Sequence, residues 1–284
     1  MIETILVIIT FLVLFCASYT DLKTREVPDF LNYGFIIAVL GIRAIFAVDL
    51  GWQVFWAGVI GLGVCLVLAS FFYYSHQWGG GDSKLLMGMG AAIGIAYPLS
   101  NQSLELLWFF LLLLFVGALY GVVWMMVLAI RKRAMFVPLF ATKVAEYKTL
   151  HWGVGGLSLL LLFAFGYLYL PYFFLGIFPL ALFYLFLFVS AVEQSCFIKD
   201  IPIERVTEGD WLAKGVVIQG KTIISAKTLE REDLQKLHSL KLSGKASMVT
   251  VKEGVPFIPS FLLAYLLLMW GYSWWTTWLG RIFG

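Results

Sequence analysis

Two carboxylates stand at the edges of long apolar runs. Asp21 follows Ser18–Tyr19–Thr20 at the end of the first run, and Asp82 sits within Gly79–Gly80–Gly81–Asp82–Ser83–Lys84, ahead of another. Ionisable side chains are costly at membrane depth, so residues of this kind are candidates for function. A pair of carboxylates suits general acid/base hydrolysis of an amide. Held close, two carboxyls cannot both ionise cheaply and so share one proton. The ionised partner takes a proton from water while the protonated one polarises the scissile carbonyl. Gly79, Gly80 and Gly81 would let backbone and substrate approach closely and give Asp82 a non-helical lead. Lys84 could lower the pKa of one carboxylate, bind the substrate backbone, or be a solvated interface lysine. Alone, the two aspartates also fit the role of interfacial helix caps, with the glycines as a flexible turn.

The elements that must bring these residues together are membrane helices. The chain has 284 residues, 61% hydrophobic and 13% charged, with mean hydropathy +0.91. That composition excludes a cytosolic enzyme. The net charge of +3 lends nothing to a nucleic-acid role. Cys16, Cys65 and Cys196 are far apart and form no CxxC pair, so neither a disulfide framework nor a zinc site is indicated. Crossing a bilayer of ~30 Å takes about 20 helical residues. The runs that qualify are Thr4–Thr20, Phe30–Val48, Leu50–Tyr74, Leu85–Leu104, Leu106–Ile130 and Pro256–Leu279. Leu150–Val192 is too long for one crossing and divides at a turn near Leu170–Tyr172. The expected fold is an all-α polytopic membrane protein of about eight spans. Continuous rather than alternating apolar runs exclude a barrel.

Lysine and arginine set the orientation. With the N-terminus outside, 18 of the 20 basic residues fall inside, leaving Arg43 and Arg281 toward the outside. That topology assigns Asp21 and Asp82 to the same, cytosolic face although neither was used to derive it. The first run carries Glu3 rather than a basic lead and only a weak cleavage site at Cys16–Ala17–Ser18, so it reads as a retained helix. The expected divisions are a core at 1–130, a basic cytosolic loop at 131–150, two spans at 151–197, a cytosolic insertion at 198–254 and a last helix at 255–284. The insertion reads as α+β: a hairpin of Gly215–Gln219 and Thr222–Ile224 around Gly220–Lys221, a short helix after Thr228, and a strand over Ser247–Lys252.

The flanks of the two aspartates carry a resemblance. Asp21–Leu22–Lys23–Thr24–Arg25–Glu26–Val27–Pro28–Asp29 resembles the segment after the first helix of type IV prepilin and preflagellin peptidases, where an aspartate is followed seven residues later by a proline. Gly79–Gly80–Gly81–Asp82–Ser83–Lys84–Leu85 is similar to the GxGDxKL element of that family, which a glycine-studded helix follows, here with Gly88, Gly90 and Gly94. The resemblance implies a membrane aspartic peptidase with Asp21 and Asp82 as its catalytic pair. Its partners would be pilin-like or archaellin precursors and the lipid bilayer, with no nucleic acid and no cofactor. The extra spans suggest the archaeal branch. Bacterial enzymes of the family often carry cysteine pairs that form a zinc site, and also N-methylate the product; without those cysteines the expectation here is cleavage without methylation and without a metal.

Other residues have weaker standing. Pro28 suits the opening of the second helix. Arg131–Lys132–Arg133 suits an anchor on the inner face. His76 lies near Asp82 in sequence, while His151 and His238 make no ligand spacing with it. Glu193 is either an intramembrane polar group or a residue reaching the interface. Acidic Glu26, Asp29 and Glu146 could receive a basic leader. Pro256 and Pro259 give the last helix a rigid start, and the strand-like entry there could pair with an extended substrate. A presenilin-like or signal-peptide-peptidase-like protease also uses a GxGD aspartate, but Tyr19–Thr20–Asp21 and Pro256–Phe257–Ile258 match neither its Tyr-Asp nor its Pro-Ala-Leu element. An ion-coupled transporter would use the aspartates near the midplane and often shows inverted repeats; none is visible.

Overall fold

The computed structural model describes residues 1–75, 77–98, 101–168, 170–218 and 221–283; for 101, 102, 170, 171, 221 and 272–283 it describes the backbone alone. The helices are α1 (Ile2–Thr24), α2 (Asp29–Leu50), α3 (Gln53–Tyr74), α4 (Gly80–Ile93), α5 (Glu105–Arg131), α6 (Arg133–Glu146), α7 (Lys148–Leu168), α8 (Phe178–Cys196), α9 (Arg231–Leu242) and α10 (Ile258–Phe283). Among the described residues, six stretches are long and apolar enough to span a membrane: α1, α2, α3, α5, α7 and Tyr172–Cys196, which contains α8. The other two expected spans correspond to α4 and to α10, whose described apolar part is Ile258–Gly271. The protein is a polytopic helical membrane protein with a small α+β region. Its residues fall into two compact units, Met1–Gly121 with Val255–Gly284, and Val122–Gly254.

In the first unit, α1 buries Leu6, Thr10, Leu14, Ala17, Ser18 and Asp21, one stripe at helical spacing. It packs against α2, α4 and α10. Helices α3 and α4 meet backbone to backbone. A Cβ on Gly61 would stand 2.1 Å from the Gly90 carbonyl oxygen, and one on Gly90 would stand 2.4 Å from that of Gly61. Only glycines allow backbones to meet at that distance, which is the close approach small residues give helices in lipid. Phe35 of α2 fills the space over Gly88 in the same way.

The fourth helix corrects the expected span of Leu85–Leu104. It stops at Ile93, where Gly94 turns into the left-handed region at φ 76°. Fourteen residues reach only about 21 Å, short of a bilayer's hydrocarbon. A helix end leaves its last carbonyls without donors of its own. Arg43 of α2 supplies the donors. Its guanidinium bonds the carbonyls of Ala91 (2.9 Å), Ala92 (2.8 Å) and Ile93 (3.1 Å), and that of Val54 in α3 (3.0 Å). The Ile95 N–H donates to the Ala57 carbonyl at 2.9 Å. Arg43 is thus a buried C-cap for α4.

In the second unit the basic segment 131–150 is largely helical, as α6 and the start of α7. Lys132 donates to the Cys196 carbonyl at the end of α8, giving the basic cluster a capping role. His151 meets the Tyr184 hydroxyl at 3.1 Å. The turn expected near Leu170–Tyr172 is a 3-10 segment, Leu170–Ile177. The α+β region holds a three-stranded antiparallel sheet, with β5 (Met248–Lys252) between β1 (Ile198–Pro202) and β2 (Trp211–Leu212). The expected hairpin is β3 (Val216–Ile218) with β4 (Lys221–Ile224); residues 219 and 220 of its turn lie outside the described residues. Ile203, Leu212, Leu229, Leu237 and Val251 give this region a core of its own. The cap of α9 is Glu230, whose N–H donates to buried Asp233 at 3.2 Å. The Lys227 ammonium, 2.7 Å away, holds the Asp233 carboxyl below the usual carboxylate range. Glu193 pairs with Lys252 of β5, so it serves at the junction of helix and sheet.

Candidate active site

Asp21 lies one turn after Ala17 and Ser18 on the buried stripe of α1, so its side chain faces the bundle rather than lipid; it is 7% exposed. The helix closes just beyond it. Arg25 adopts φ 63° and its N–H donates to the Asp21 carbonyl at 2.9 Å. The Asp21 carboxylate in turn accepts the Ile258 N–H through Oδ2 at 2.9 Å. Ile258 is the first residue of α10, and its N–H is one of the donors that no helix can satisfy internally. Asp21 therefore caps a helix 237 positions away in sequence, and that bond fixes one face of its carboxylate.

Asp82 stands in the first turn of α4, where its Oδ2 accepts the Gly79 N–H at 3.3 Å. The approach to it is held by rings. Trp78 stacks on Phe72 at 4.7 Å between centroids and meets Phe257 at 5.5 Å and Phe261 at 5.9 Å. Phe257 in turn lies where a Cβ on Gly117 of α5 would be, 2.6 Å from its ring. The entry to α10 and the approach to α4 are thus packed together. The non-helical lead is shorter than expected: Gly79 is extended, but Gly80 and Gly81 are already helical. None of the three needs glycine to fit its own fold. A Cβ would meet Asp82 at 3.5 Å, Tyr73 at 3.8 Å and Val27 at 3.5 Å, all ordinary contacts.

The two carboxylates occupy the same end of the bundle, and Asp82 lies close enough to Asp21 to feel its charge. Two further side chains join them. Arg25 acts electrostatically on Asp21, and Tyr120 of α5 lies within the fields of both Asp21 and Arg25. In the sequence Arg25 stands only as a topogenic charge, and Tyr120 carries no motif. The signal was a phenol among apolar residues in the stretch Gly117–Tyr120–Trp124, which an ionisable-in-membrane rule would have marked.

The other expected site residues are placed as follows. Lys84 turns to α2, where it pairs with Asp29 at 2.5 Å and lies over the Tyr33 ring. It thus braces α4 against α2, and Asp29 is engaged rather than open to a ligand. Glu26 is exposed. Pro28 is the N-cap of α2, and its carbonyl accepts the Leu31 N–H at 3.0 Å. Pro256 is buried in the extended stretch between β5 and α10. The first N–H of that helix is committed to Asp21 and so is not open to a peptide strand. His76 lies outside the described residues.

The Asp21–Ile258 bond makes a prediction. Ile258→Pro removes the donor at a first helical position whose backbone suits proline. It also trims the buried Ile258 side chain, so its turnover is compared with that of Ile258→Ala, which trims the side chain and keeps the N–H. The proline variant is expected to insert normally and to lose about 10- to 100-fold in turnover relative to the alanine one, the worth of a bond to a charged group. Single-turnover kinetics on purified protein reads it; turnover equal to that of Ile258→Ala would mean the bond is only a cap.

Residues 8–126 match the type IV leader peptidase family. A preflagellin peptidase of Methanocaldococcus jannaschii is 36% identical over 83 residues, which make up 28% of this chain and 34% of that protein. The chain thus spans about a third of the length of the curated relative it matches. Residues 8–126 contain both aspartates, the glycines before Asp82 and the arginine that caps α4. Over residues 8–126, then, the chain is similar to the type IV leader peptidase family.

Proposed function

We propose that the chain is an aspartic endopeptidase that removes short leader peptides from prepilin- or prearchaellin-like precursors, with Asp21 and Asp82 as its catalytic pair. The observation that carries this reading is the convergence of two carboxylates, 61 positions apart in sequence, at one end of a helix bundle inside the matched segment. One is buried and tied to a helix terminus; the other opens a short helix beside a glycine run that its own fold does not require.

The chemistry follows from the pair. Two neighbouring carboxyls in a poorly solvated place hold one proton between them. The ionised partner removes a proton from a water as its oxygen attacks the scissile carbonyl carbon. The protonated partner donates to the carbonyl oxygen, giving a tetrahedral diol. Proton return to the leaving nitrogen breaks the C–N bond and restores the shared proton. No cofactor enters these steps. The bare backbone of Gly79–Gly81 gives an extended peptide room beside Asp82. The excess of basic residues at the ends bearing the aspartates supports an outside N-terminus and cleavage at the cytosolic face. A leader ahead of a hydrophobic helix would then be cut where it leaves the bilayer. Absence of N-methylation belongs to the same proposal.

The test is direct. Membranes containing the chain are incubated with a tagged pilin-type or archaellin-type precursor, and the product is located by mass spectrometry. Loss of the leader at a single bond is expected. Precursors of both types left intact, with ion-dependent uptake into vesicles, would replace this reading with a transporter.

A further inference from the structure

We infer that Asn32, with Ser18 and Ser83 beside it, binds the main chain of the substrate on the membrane side of the scissile bond; this rests on the peptidase reading above. Asn32 lies in the second turn of α2 with none of its surface exposed, and neither its amide nitrogen nor its carbonyl oxygen has a hydrogen-bond partner among the described residues. A carboxamide offers two donors and two acceptor lone pairs, and burying it unused costs stability. Native structures rarely keep such a group without a use for it.

Its position is set by contacts above and below. On α2, Asn32, Val39 and Arg43 lie within about 40° of one another at 100° per residue, with Phe35 about 60° to one side. All four are buried. Phe35 covers Gly88 of α4 and Arg43 caps the end of α4, so this face of α2 meets α4. The register is equally defined: Val27 packs on Gly81, Asp29 pairs with Lys84, and Phe35 packs on Gly88. Asn32 therefore lies level with Leu85 or Leu86, about one turn deeper than Asp82.

Two hydroxyls lie between the dyad and this level or at it. Ser83 adjoins Asp82, and Ser18 lies one turn deeper than Asp21 on the same stripe of α1; both are 6% exposed and their hydroxyls meet no partner among the described residues. Polar groups thus continue from the dyad into the bundle. A substrate helix can be cut only where it is unwound, and unwinding frees peptide N–H and C=O groups that lipid cannot satisfy. A carboxamide matches such a peptide unit, donating to its carbonyl and accepting from its N–H.

The experiment compares purified wild type with Asn32→Leu, which keeps the volume and removes the polar atoms. The expected result is a KM for precursor raised about 10- to 100-fold, with little change in kcat and an unfolding temperature equal to or above that of wild type. A structural asparagine would move the other way, losing stability with KM unchanged, and that result overturns the inference. So does a fall in kcat alone, which would assign the amide to the attacking water. Should Asn32→Leu fail to insert, Ser83→Ala carries the same test, with a KM rise of about 3- to 10-fold expected; an unchanged KM there overturns the inference too. A wild type inert on every precursor removes the peptidase reading and this inference together, whereas an active wild type with an unaffected Asn32→Leu removes the inference alone.

Discussion

Asp82→Asn, inserted and folded like the wild type, is expected to cut a leader-bearing precursor about 10²- to 10⁴-fold more slowly, the range that a positioned acid or base contributes. Asparagine keeps the shape and the bond from the Gly79 N–H but can neither give up nor take on a proton. Asp21→Asn is expected to be as severe, because members of one catalytic unit fail together. Its stability cost is small, since the asparagine oxygen still accepts the Ile258 N–H. The double variant should then be scarcely slower than either single one, and that non-additivity is the mark of a pair acting as a unit. Wild-type turnover should follow a bell in pH, falling on the acid side when both carboxyls hold protons and on the alkaline side when neither does. The two limbs belong to the pair and not to one residue each. Normal cleavage by either single variant would mark that aspartate as a cap and end the proposed mechanism.

Arg43→Leu is expected to lose at least about 3 kcal/mol of stability, since buried acceptors left without donors cost about 1–3 kcal/mol apiece. Four carbonyls depend on this one side chain, three of them at the end of α4. Gly58 and Gly94 are fitted to it, with a Cβ on either coming within 2.8 Å of its atoms. Arg43→Lys keeps the charge, but its three donors on a single nitrogen cannot serve four carbonyls around a planar fork, so it should recover only part of the loss. Thermal unfolding in detergent measures both. A topology reporter on the same variants should show unchanged orientation, because capping and not topogenesis is at stake. An Arg43→Leu that unfolds at the wild-type temperature would show that α4 ends without it. Since α4 carries Asp82 at its other end, the partly recovered lysine variant should also turn over more slowly.

Much of this was legible in the residues alone. Long uncharged runs must be helices in lipid, since no other continuous segment satisfies its own backbone there. Asp21, Asp82 and the glycine run were readable because charge at a membrane edge is rare and costly. The hairpin of 216–224 and the strand of 248–252 showed through their β-branched residues between turn signals.

What the residues alone did not disclose shares one physical cause. Hydropathy measures the length of an apolar run but not where a helix within it stops; α4 stops at Ile93 because Arg43, about 50 positions away, takes its carbonyls. Arg43 read as a leftover outside charge, Lys84 as a residue of the site, and Asn32 as one polar residue in a helix. Each has its role from a partner on another helix, or from the lack of one, and such partners are set by register and close packing that local spacing does not encode. The candidate aspartates and the face expected for them came from composition and spacing, and the chemistry proposed for them from the resemblance of their flanks. Which groups hold its carboxylates, and which polar atoms remain for a substrate, was decided only when α1, α2, α4 and α10 packed together.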